Sequence, residues 1–215
     1  MRWTVLLPVK ALPAAKSRLL PASADSSEHR RLVEAIRADT EAAAHAADGV
    51  SRVLLVVDQL PAAVGLPSAE VLVQRAPGLN AALREGAAHA AARWPDDGVA
   101  ALLGDLPALR PGELASALGA AAGHPRGYVA DAAGTGTTLL TSRPGVELQP
   151  AFGAGSAARH AAIAAPLAAG PGLRTDVDTA ADLAAALALG VGTATAALVG
   201  PQITPSSTSP GMMAG

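Results

Sequence analysis

Four short apolar segments, each of β-strand length, are spaced along the first half of the chain. They cover residues 3–9, 53–57, 71–73 and 99–103. Segments with apolar residues at helical spacing follow the first, third and fourth of them. Alternation of this kind is typical of right-handed crossovers between parallel strands. The sequence therefore predicts an α/β fold with a mainly parallel sheet flanked by helices, as a three-layer sandwich.

The composition predicts how the core of this fold is built. Half of the 215 residues are apolar, but aromatic residues make up only 2%. A core made mostly of Ala, Val and Leu requires close packing between helices and sheet, and a chain of this length can bury one sizeable core. We expect one domain over residues 1–199. Residues 200–215 are Pro, Ser, Thr and Gly without apolar periodicity, which predicts a disordered tail.

Charge and cysteine content exclude several classes of partner and site. The formal net charge of −2 offers no basic field for a nucleic acid backbone. The absence of cysteine excludes disulfides, thiolate metal sites and a cysteine nucleophile. The N-terminal apolar run is broken by Pro8 and Lys10, unlike a signal peptide, and no run reaches the length of a membrane span. These features predict a cytoplasmic protein without nucleic acid or membrane partners.

Three aspartates occupy positions where α/β proteins bind ligands. Asp105 follows the fourth apolar segment, and Asp176 and Asp178 alternate before a helical pattern. Ligands bind at the carboxyl ends of the strands in open α/β sheets, and alternating residues in an extended segment face the same side. Carboxylates placed in this way suit a hard cation such as Mg²⁺. The alternatives are a turn residue at Asp105 and a helix cap formed by Asp178 with Thr179.

Two glycine-containing segments are candidate anion sites. Residues 134–138 read Gly-Thr-Gly-Thr-Thr, whose amides and hydroxyls suit a phosphate or carboxylate, although no P-loop lysine follows and a plain glycine turn is the alternative. We expect two short antiparallel edge strands on either side of this turn. Residues 152–156 read Phe-Gly-Ala-Gly-Ser before a helix, where unpaired amides favour an anion. Here an ordinary N-cap at Ser156 is the alternative.

Basic and polar residues near the strand ends are candidate nucleotide contacts. Lys10, Lys16 and Arg18 follow the first strand in a predicted loop. They could bind a triphosphate, or they could form a basic surface that only contacts solvent. Asn80 precedes a helix and could orient a base or ribose, or cap the helix. Asp58 could accept hydrogen bonds from guanine or belong to a strand-end turn. The histidines show no ligand spacing and are interpreted as surface or packing residues; they are His29, His45, His89, His124 and His160.

Taken together, these motifs resemble the phosphoenolpyruvate or 2-phospho-L-lactate guanylyltransferase family of coenzyme F-420 biosynthesis. Six matching motifs occur in the same order along the chain: residues 7–10 with 15–19; 78–82; 104–107; Asp131 with 134–137; Phe152 and Gly153 with Ser156 and His160; and 176–179 with Asp182 and Leu183. Each motif alone is unspecific, but six in order are hard to obtain by chance.

The resemblance implies a Rossmann-like fold similar to the nucleotide-diphospho-sugar transferases, with GTP and phosphoenolpyruvate as substrates. It implies Asp105, Asp176 and Asp178 as Mg²⁺ ligands and Thr137, Gly153 and Ser156 as contacts of the acid. Lys10, Lys16 and Arg18 would contact the triphosphate and Asn80 the nucleoside, with Asp105 and Lys16 acting in catalysis. The resemblance is also compatible with a homodimer and with transfer of the product to the next transferase of the pathway.

Several alternatives stay open at the level of sequence. The choice of phosphoenolpyruvate over 2-phospholactate or 3-phosphoglycerate depends only on a composition typical of high-GC bacteria. A pterin cofactor or a sugar phosphate is an alternative acceptor, although the short segment between Asp131 and Ser156 favours a small one. A nucleotide-binding module without catalysis is the alternative from another class, which the three retained aspartates disfavour.

Overall fold

The structure, a computed structural model, describes residues 1–9, 26–59 and 70–199. Two predictions lie outside the described residues. They are the triphosphate contacts at Lys10, Lys16 and Arg18 in the loop after the first strand, and the disordered tail at 200–215. All statements below concern the described part of the chain.

Strands and helices alternate through most of the chain, as predicted. The strands are β1 Trp3–Val9, β2 Val50–Val57, β3 Glu70–Val73, β4 Gly98–Leu102, β5 Arg126–Ala130, β6 Thr137–Ser142 and β7 Ala165–Pro166. The helices are α1 Ser26–His45, α2 Leu79–Arg93, α3 Pro111–Ala121, α4 Ser156–Ala161, α5 Pro171–Arg174, α6 Ala180–Leu189 and α7 Thr193–Val199. The four predicted apolar segments all lie in strands, with bounds shifted by at most a few residues.

The seven strands form one mainly parallel sheet in the order β3-β2-β1-β4-β6-β5-β7. β1 pairs in parallel with β2 and β4, and β2 with β3. β6 runs antiparallel to both of its neighbours, β4 and β5. The carboxyl ends of β1, β2 and β4 therefore meet at one edge of the sheet, where α/β proteins place their ligands.

The antiparallel pair around the glycine turn is confirmed, but its predicted position at the sheet edge is wrong. β6 lies inside the sheet, between β4 and β5, and the two-residue β7 forms the edge. Every residue of β6 is buried, including Leu139 and Leu140, which are fully inaccessible to solvent. Such two-sided burial belongs to an interior strand. The order of strands depends on these tertiary contacts, which local alternation does not encode.

Alternate residues of the sheet pack against helices on opposite faces, which gives the predicted three layers. On one face, β1 residues Val5 and Leu7 pack with α1 and α3 in one apolar cluster. On the other, Leu6 packs with Leu83 of α2 in a second cluster. Small side chains permit the close approach: a Cβ at Gly86 of α2 would lie 2.9 Å from Val56.

Within the described residues, no single helix is long and apolar enough to span a membrane. The helices Ala180–Leu189 and Thr193–Val199 meet the length and composition criteria only as a pair, with a bend of 119° between them.

Candidate active site

Asp105 and the segment 176–178 come together at the carboxyl end of β4. The Val177 amide donates a hydrogen bond of 3.0 Å to the Asp105 carbonyl. Val177 is fully buried in a third apolar cluster with Ile36 and Leu183. Because the segment is extended and Val177 faces the core, Asp176 and Asp178 face away from it. The alternation inferred from the sequence thus has a structural cause, the anchoring of Val177.

The surroundings of Asp176 favour the neutral form of its carboxyl group. Burial, followed by the negative charge of Asp105, raises the pKa of Asp176 to about 7. Asp178 and Asp131 raise this pKa further, although a hydrogen bond from its own backbone lowers it. A half-buried carboxyl beside another carboxyl gains most from a cation that neutralises both.

These carboxylates suit a divalent cation that takes its remaining ligands from groups other than protein side chains. No group of three His, Cys, Asp or Glu side chains among residues 1–9, 26–59 and 70–199 is arranged to hold a metal ion on its own. Mg²⁺, however, is commonly bound by one or two carboxylates, with substrate phosphates and waters completing its shell. Asp105 and Asp176 therefore suit a metal–nucleotide complex better than a permanent metal cage.

The helix cap that was the alternative for Asp178 with Thr179 is present, with Thr179 as the N-cap residue. Thr179 is the N-cap of α6, and its hydroxyl accepts a hydrogen bond from the Asp182 amide. The Asp182 carboxylate in turn accepts from the Thr179 amide at 2.9 Å, which completes a capping box. Asp178 is exposed to solvent.

Helix α1 fixes the peptide unit that carries Asp105. Thr40 is fully buried, and its hydroxyl donates to the Ile36 carbonyl at 3.0 Å. The same oxygen accepts a 3.0 Å hydrogen bond from the Leu106 amide. The peptide between Asp105 and Leu106 is therefore held at its carbonyl by Val177 and at its N–H by Thr40.

The glycine-rich segment after β5 is organised by Asp131. Its carboxylate accepts hydrogen bonds from the amides of Thr135 at 2.9 Å and Gly136 at 2.8 Å. Gly134 has a φ of 74°, and a Cβ at Gly136 would lie 2.4 Å from the Asp131 carboxylate. The two amides are engaged within the turn, so the alternative of a plain glycine turn is the better description of this segment. Its role is to place Thr137 at the start of β6.

A second loop, residues 151–155, is held by side chains from two helices. Asn80 of α2 donates to the Phe152 carbonyl at 3.1 Å and accepts from the Phe152 amide at 2.8 Å. Arg159 of α4 donates to the carbonyls of Ala151 at 3.0 Å and Ala154 at 2.8 Å. Because the carbonyls of the loop accept hydrogen bonds from Asn80 and Arg159, the loop backbone is held in a defined conformation.

Helix α4 joins the two loops and carries the predicted acid contacts. The Ala157 amide donates to the Thr135 carbonyl at 3.1 Å, and the Ser156 amide donates to the Gly153 carbonyl at 3.0 Å. The N-cap of α4 is Gly155, with a φ of 70°, so the alternative of a Ser156 cap is wrong. Thr137, Gly153 and Ser156 are thus brought into one connected unit beside β6.

Asn80 was predicted to contact the nucleoside, and guanine binding was one of the two interpretations of Asp58, beside a strand-end turn. The Asn80 side chain makes its two hydrogen bonds to the Phe152 backbone rather than to the cap of α2, whose N-cap is Gly78. Asp58 lies exposed just after β2. A contact of either residue with a base or ribose stays a prediction.

The chain matches a known family over almost all of its described length. The model of the family described as "Guanylyl transferase CofC like" matches residues 3–199. The chain belongs to this family. It is 51% identical over 204 residues to the phosphoenolpyruvate guanylyltransferase of Streptomyces coelicolor, covering 92% of this chain and 96% of that protein. It is 52% identical over 207 residues to the protein of the same name from Geodermatophilus obscurus, covering 92% and 94%.

Solved structures place the CofC-like chain in a nucleotidyltransferase fold. A manganese complex of Rv0371C from Mycobacterium tuberculosis H37Rv superposes with a TM-score of 0.59 at 22% identity, covering 87% of this chain and 98% of that one. A 4-diphosphocytidyl-2C-methyl-D-erythritol synthase gives a TM-score of 0.58 at 14% identity, covering 87% and 98%. At these identities the likeness confirms the fold, as the motifs predicted.

Some residues around the candidate site were given no role in it by the sequence. His160 was interpreted as a surface or packing residue; it is fully buried, as a packing residue is, and its Nδ1 also lies 2.8 Å from the Thr137 hydroxyl oxygen. Its spacing of four from Ser156, which places both on one helical face, was the available signal. Thr40 and Arg159 gave no such signal, because their partners are distant in sequence or are backbone atoms.

Proposed function

We propose that this protein transfers GMP from GTP to phosphoenolpyruvate, giving enolpyruvyl-diphospho-5'-guanosine and pyrophosphate in coenzyme F-420 biosynthesis. The observation that carries the proposal is the meeting of Asp105 and Asp176 beside the loops that hold Thr137, Gly153 and Ser156. Relatives that are 51% and 52% identical in sequence are named for this activity. A cytoplasmic location, a homodimer and hand-over of the product stay predictions from the sequence.

In the proposed reaction, a phosphate oxygen of the acid attacks the α-phosphorus of GTP. The bond from this phosphorus to the β-phosphate oxygen breaks, and pyrophosphate leaves with the electron pair. The acid's phosphate is largely ionised at neutral pH, since its second pKa is about 6, so no general base is required. His160 fits this scheme, because burial and the charge of Arg159 lower its pKa to about 4 and keep it neutral.

The side chains of this protein bind and align the two anions. Asp105 and Asp176, with Asp178 close by, would hold Mg²⁺, which when bound offsets the negative charge of the phosphates. Lys10, Lys16 and Arg18, outside the described residues, are proposed contacts of the triphosphate, and Asn80 of the nucleoside. Thr137, Gly153 and Ser156 are proposed to bind the phosphate and carboxylate of the acid. Positioning of this kind supplies most of the catalysis in phosphoryl transfer.

Pyrophosphate release tests this assignment. The purified protein is supplied with GTP, Mg²⁺ and one acceptor at a time: phosphoenolpyruvate, 2-phospho-L-lactate, 3-phosphoglycerate or glucose 1-phosphate. We expect release with phosphoenolpyruvate, and a loss of more than about 100-fold in Asp105→Asn. Asp48→Asn, which changes an exposed aspartate in the turn before β2, is the matched control and should keep full activity.

Each of the other outcomes would indicate a different substrate or a different function. Release only with another three-carbon acid would keep the reaction and change the substrate. Release only with glucose 1-phosphate would indicate a sugar nucleotidyltransferase. Silence with all four acceptors from a folded protein would contradict the proposal and favour a pterin acceptor or a nucleotide-binding module without catalysis.

A further inference from the structure

Among residues 1–9, 26–59 and 70–199, His160 is the histidine that is fully buried at the candidate site. Its imidazole packs edge-on against the Phe152 ring, with centroids 5.1 Å apart at 68°, and lies 6.5 Å from the Tyr128 ring. Both ring nitrogens have protein partners within hydrogen-bond distance. A buried imidazole with its orientation fixed by packing and its two nitrogens engaged is constrained to one tautomer.

The hydrogen bonds identify that tautomer. The Ala151 amide donates to His160 Nε2 at 3.0 Å, so Nε2 is an acceptor and carries no proton. In the neutral ring the single proton then lies on Nδ1. Nδ1 is 2.8 Å from the Thr137 hydroxyl oxygen, and it must donate to that oxygen.

This assignment determines what Thr137 can do. Its hydroxyl oxygen accepts from His160, and the hydroxyl hydrogen is left to donate elsewhere. Among the described residues, His160 is the hydrogen-bond partner of this side chain. We propose that His160 is a positioning residue, whose Nδ1–H bond makes the Thr137 hydroxyl a donor to the phosphate or carboxylate of the acid substrate. The proposal rests on the proposed function, in which Thr137 contacts the acid.

The surroundings of His160 keep this arrangement in place. Protonation of Nε2 would set two donors, Nε2–H and the Ala151 N–H, against each other. The guanidinium of Arg159, on the same helix, further disfavours a positive charge on the ring. His160 therefore acts through a fixed hydrogen bond and not by exchanging protons with the substrate.

Kinetics of single and double variants test the route through Thr137. Thr137→Val should raise the KM for the acid by about 10- to 100-fold, the effect of losing a hydrogen bond to a charged group. The KM for GTP should stay unchanged, and Thr137→Ser, which keeps the hydroxyl group, should raise the KM for the acid much less than Thr137→Val does. His160→Phe alone should raise the KM for the acid, but adding it to Thr137→Val should change that KM by less than about twofold. Full additivity of the two substitutions would overturn the proposal.

Nitrogen chemical shifts in the unliganded protein provide a test that does not depend on turnover. In ¹⁵N-labelled protein, with His160→Phe used for assignment, we expect His160 to be protonated at Nδ1, unprotonated at Nε2 and unchanged from pH 8 to pH 5. Protonation at Nε2, or titration within this range, would overturn the proposal even if the enzyme is active. If the tautomer is as expected but no acid is turned over, the proposed function fails instead.

Discussion

The fold shifts the pKa of the Asp176 carboxyl group into the neutral range. Burial and the neighbouring Asp105 raise its pKa from 3.8 to about 7. Between these two values the folded protein binds more protons than the unfolded chain, so the contribution of Asp176 to stability falls as pH rises through about 7. A metal ion that binds the ionised pair must displace the residual proton.

Metal binding should therefore strengthen with pH. We expect the rise in unfolding temperature caused by Mn²⁺ with GTP to be small at pH 6 and large at pH 8, measured by differential scanning fluorimetry. Affinity should fall by roughly tenfold per pH unit below about 7. Asp176→Asn should unfold at a higher temperature than the wild type at pH 8 without metal, because it removes the repulsion, and should lose the metal-dependent shift.

The exposed Asp48→Asn variant serves as the control for this experiment. It should show the wild-type response to Mn²⁺ at each pH. A metal response of equal size at pH 6 and pH 8 in the wild type, or a response retained in Asp176→Asn, would contradict the role given to Asp176.

At the scale of elements, α1 supports the site from behind through one hydroxyl group. Thr40 links the Ile36 carbonyl to the Leu106 amide and so fixes the peptide after Asp105. Thr40→Val keeps the shape of the side chain but leaves the buried Leu106 N–H without its partner, at a cost of about 1–3 kcal/mol. We expect lower stability in urea unfolding and a fall in kcat of about tenfold or more, since a small displacement of Asp105 weakens catalysis.

The chain offers a matched control for this substitution. Thr195 of α7 is also fully buried, but its hydroxyl has no hydrogen-bond partner among the described residues. Thr195→Val should leave kcat and stability nearly unchanged, and Thr40→Ser should keep most of the activity. Equal effects of Thr40→Val and Thr195→Val would show that the hydroxyl of Thr40 does not support the site.

The elements that sequence patterns predicted are those with strong local signals. The run Trp3–Val9 has the predicted bounds because continuous apolar residues mark it, and the helical pattern predicted after Asp178 is the helix Ala180–Leu189. α5, α7 and β7 were not predicted, since they span four, seven and two residues and have too little periodicity to detect. β6 was predicted as a strand, but its interior position follows from burial on both faces.

At the scale of the whole molecule, stability and function are served by opposite ends of the sheet. Asp97 lies just before β4, at the amino end of the parallel strands, and is nearly fully buried. Burial raises the pKa of its carboxyl, but hydrogen bonds from Ser51 and Arg52 and the charges of Arg52 and Arg2 outweigh it and lower the pKa overall. This network is placed to hold β1, β2 and β4 together away from the site.

The sequence predicted which aspartates lie together at the strand ends better than it predicted the contacts that hold them, and their role as metal ligands stays a prediction. The aspartates at 105, 176 and 178 were identified because strand ends in α/β sheets bind ligands. The contacts that hold the site, such as His160 with Thr137 and Asn80 with Phe152, join residues 23 and 72 positions apart. Contacts of this range depend on the tertiary fold, so a single sequence gives little indication of them.

The central claim is that this molecule joins GMP to an intact phosphoenolpyruvate. Mass spectrometry of a quenched reaction with GTP, Mg²⁺ and phosphoenolpyruvate labelled with ¹⁸O in its phosphate tests it most directly. The account predicts a guanosine diphosphate ester of enolpyruvate that retains the label, formed in equal amount with unlabelled pyrophosphate. GMP or GDP formed without a labelled adduct would contradict it.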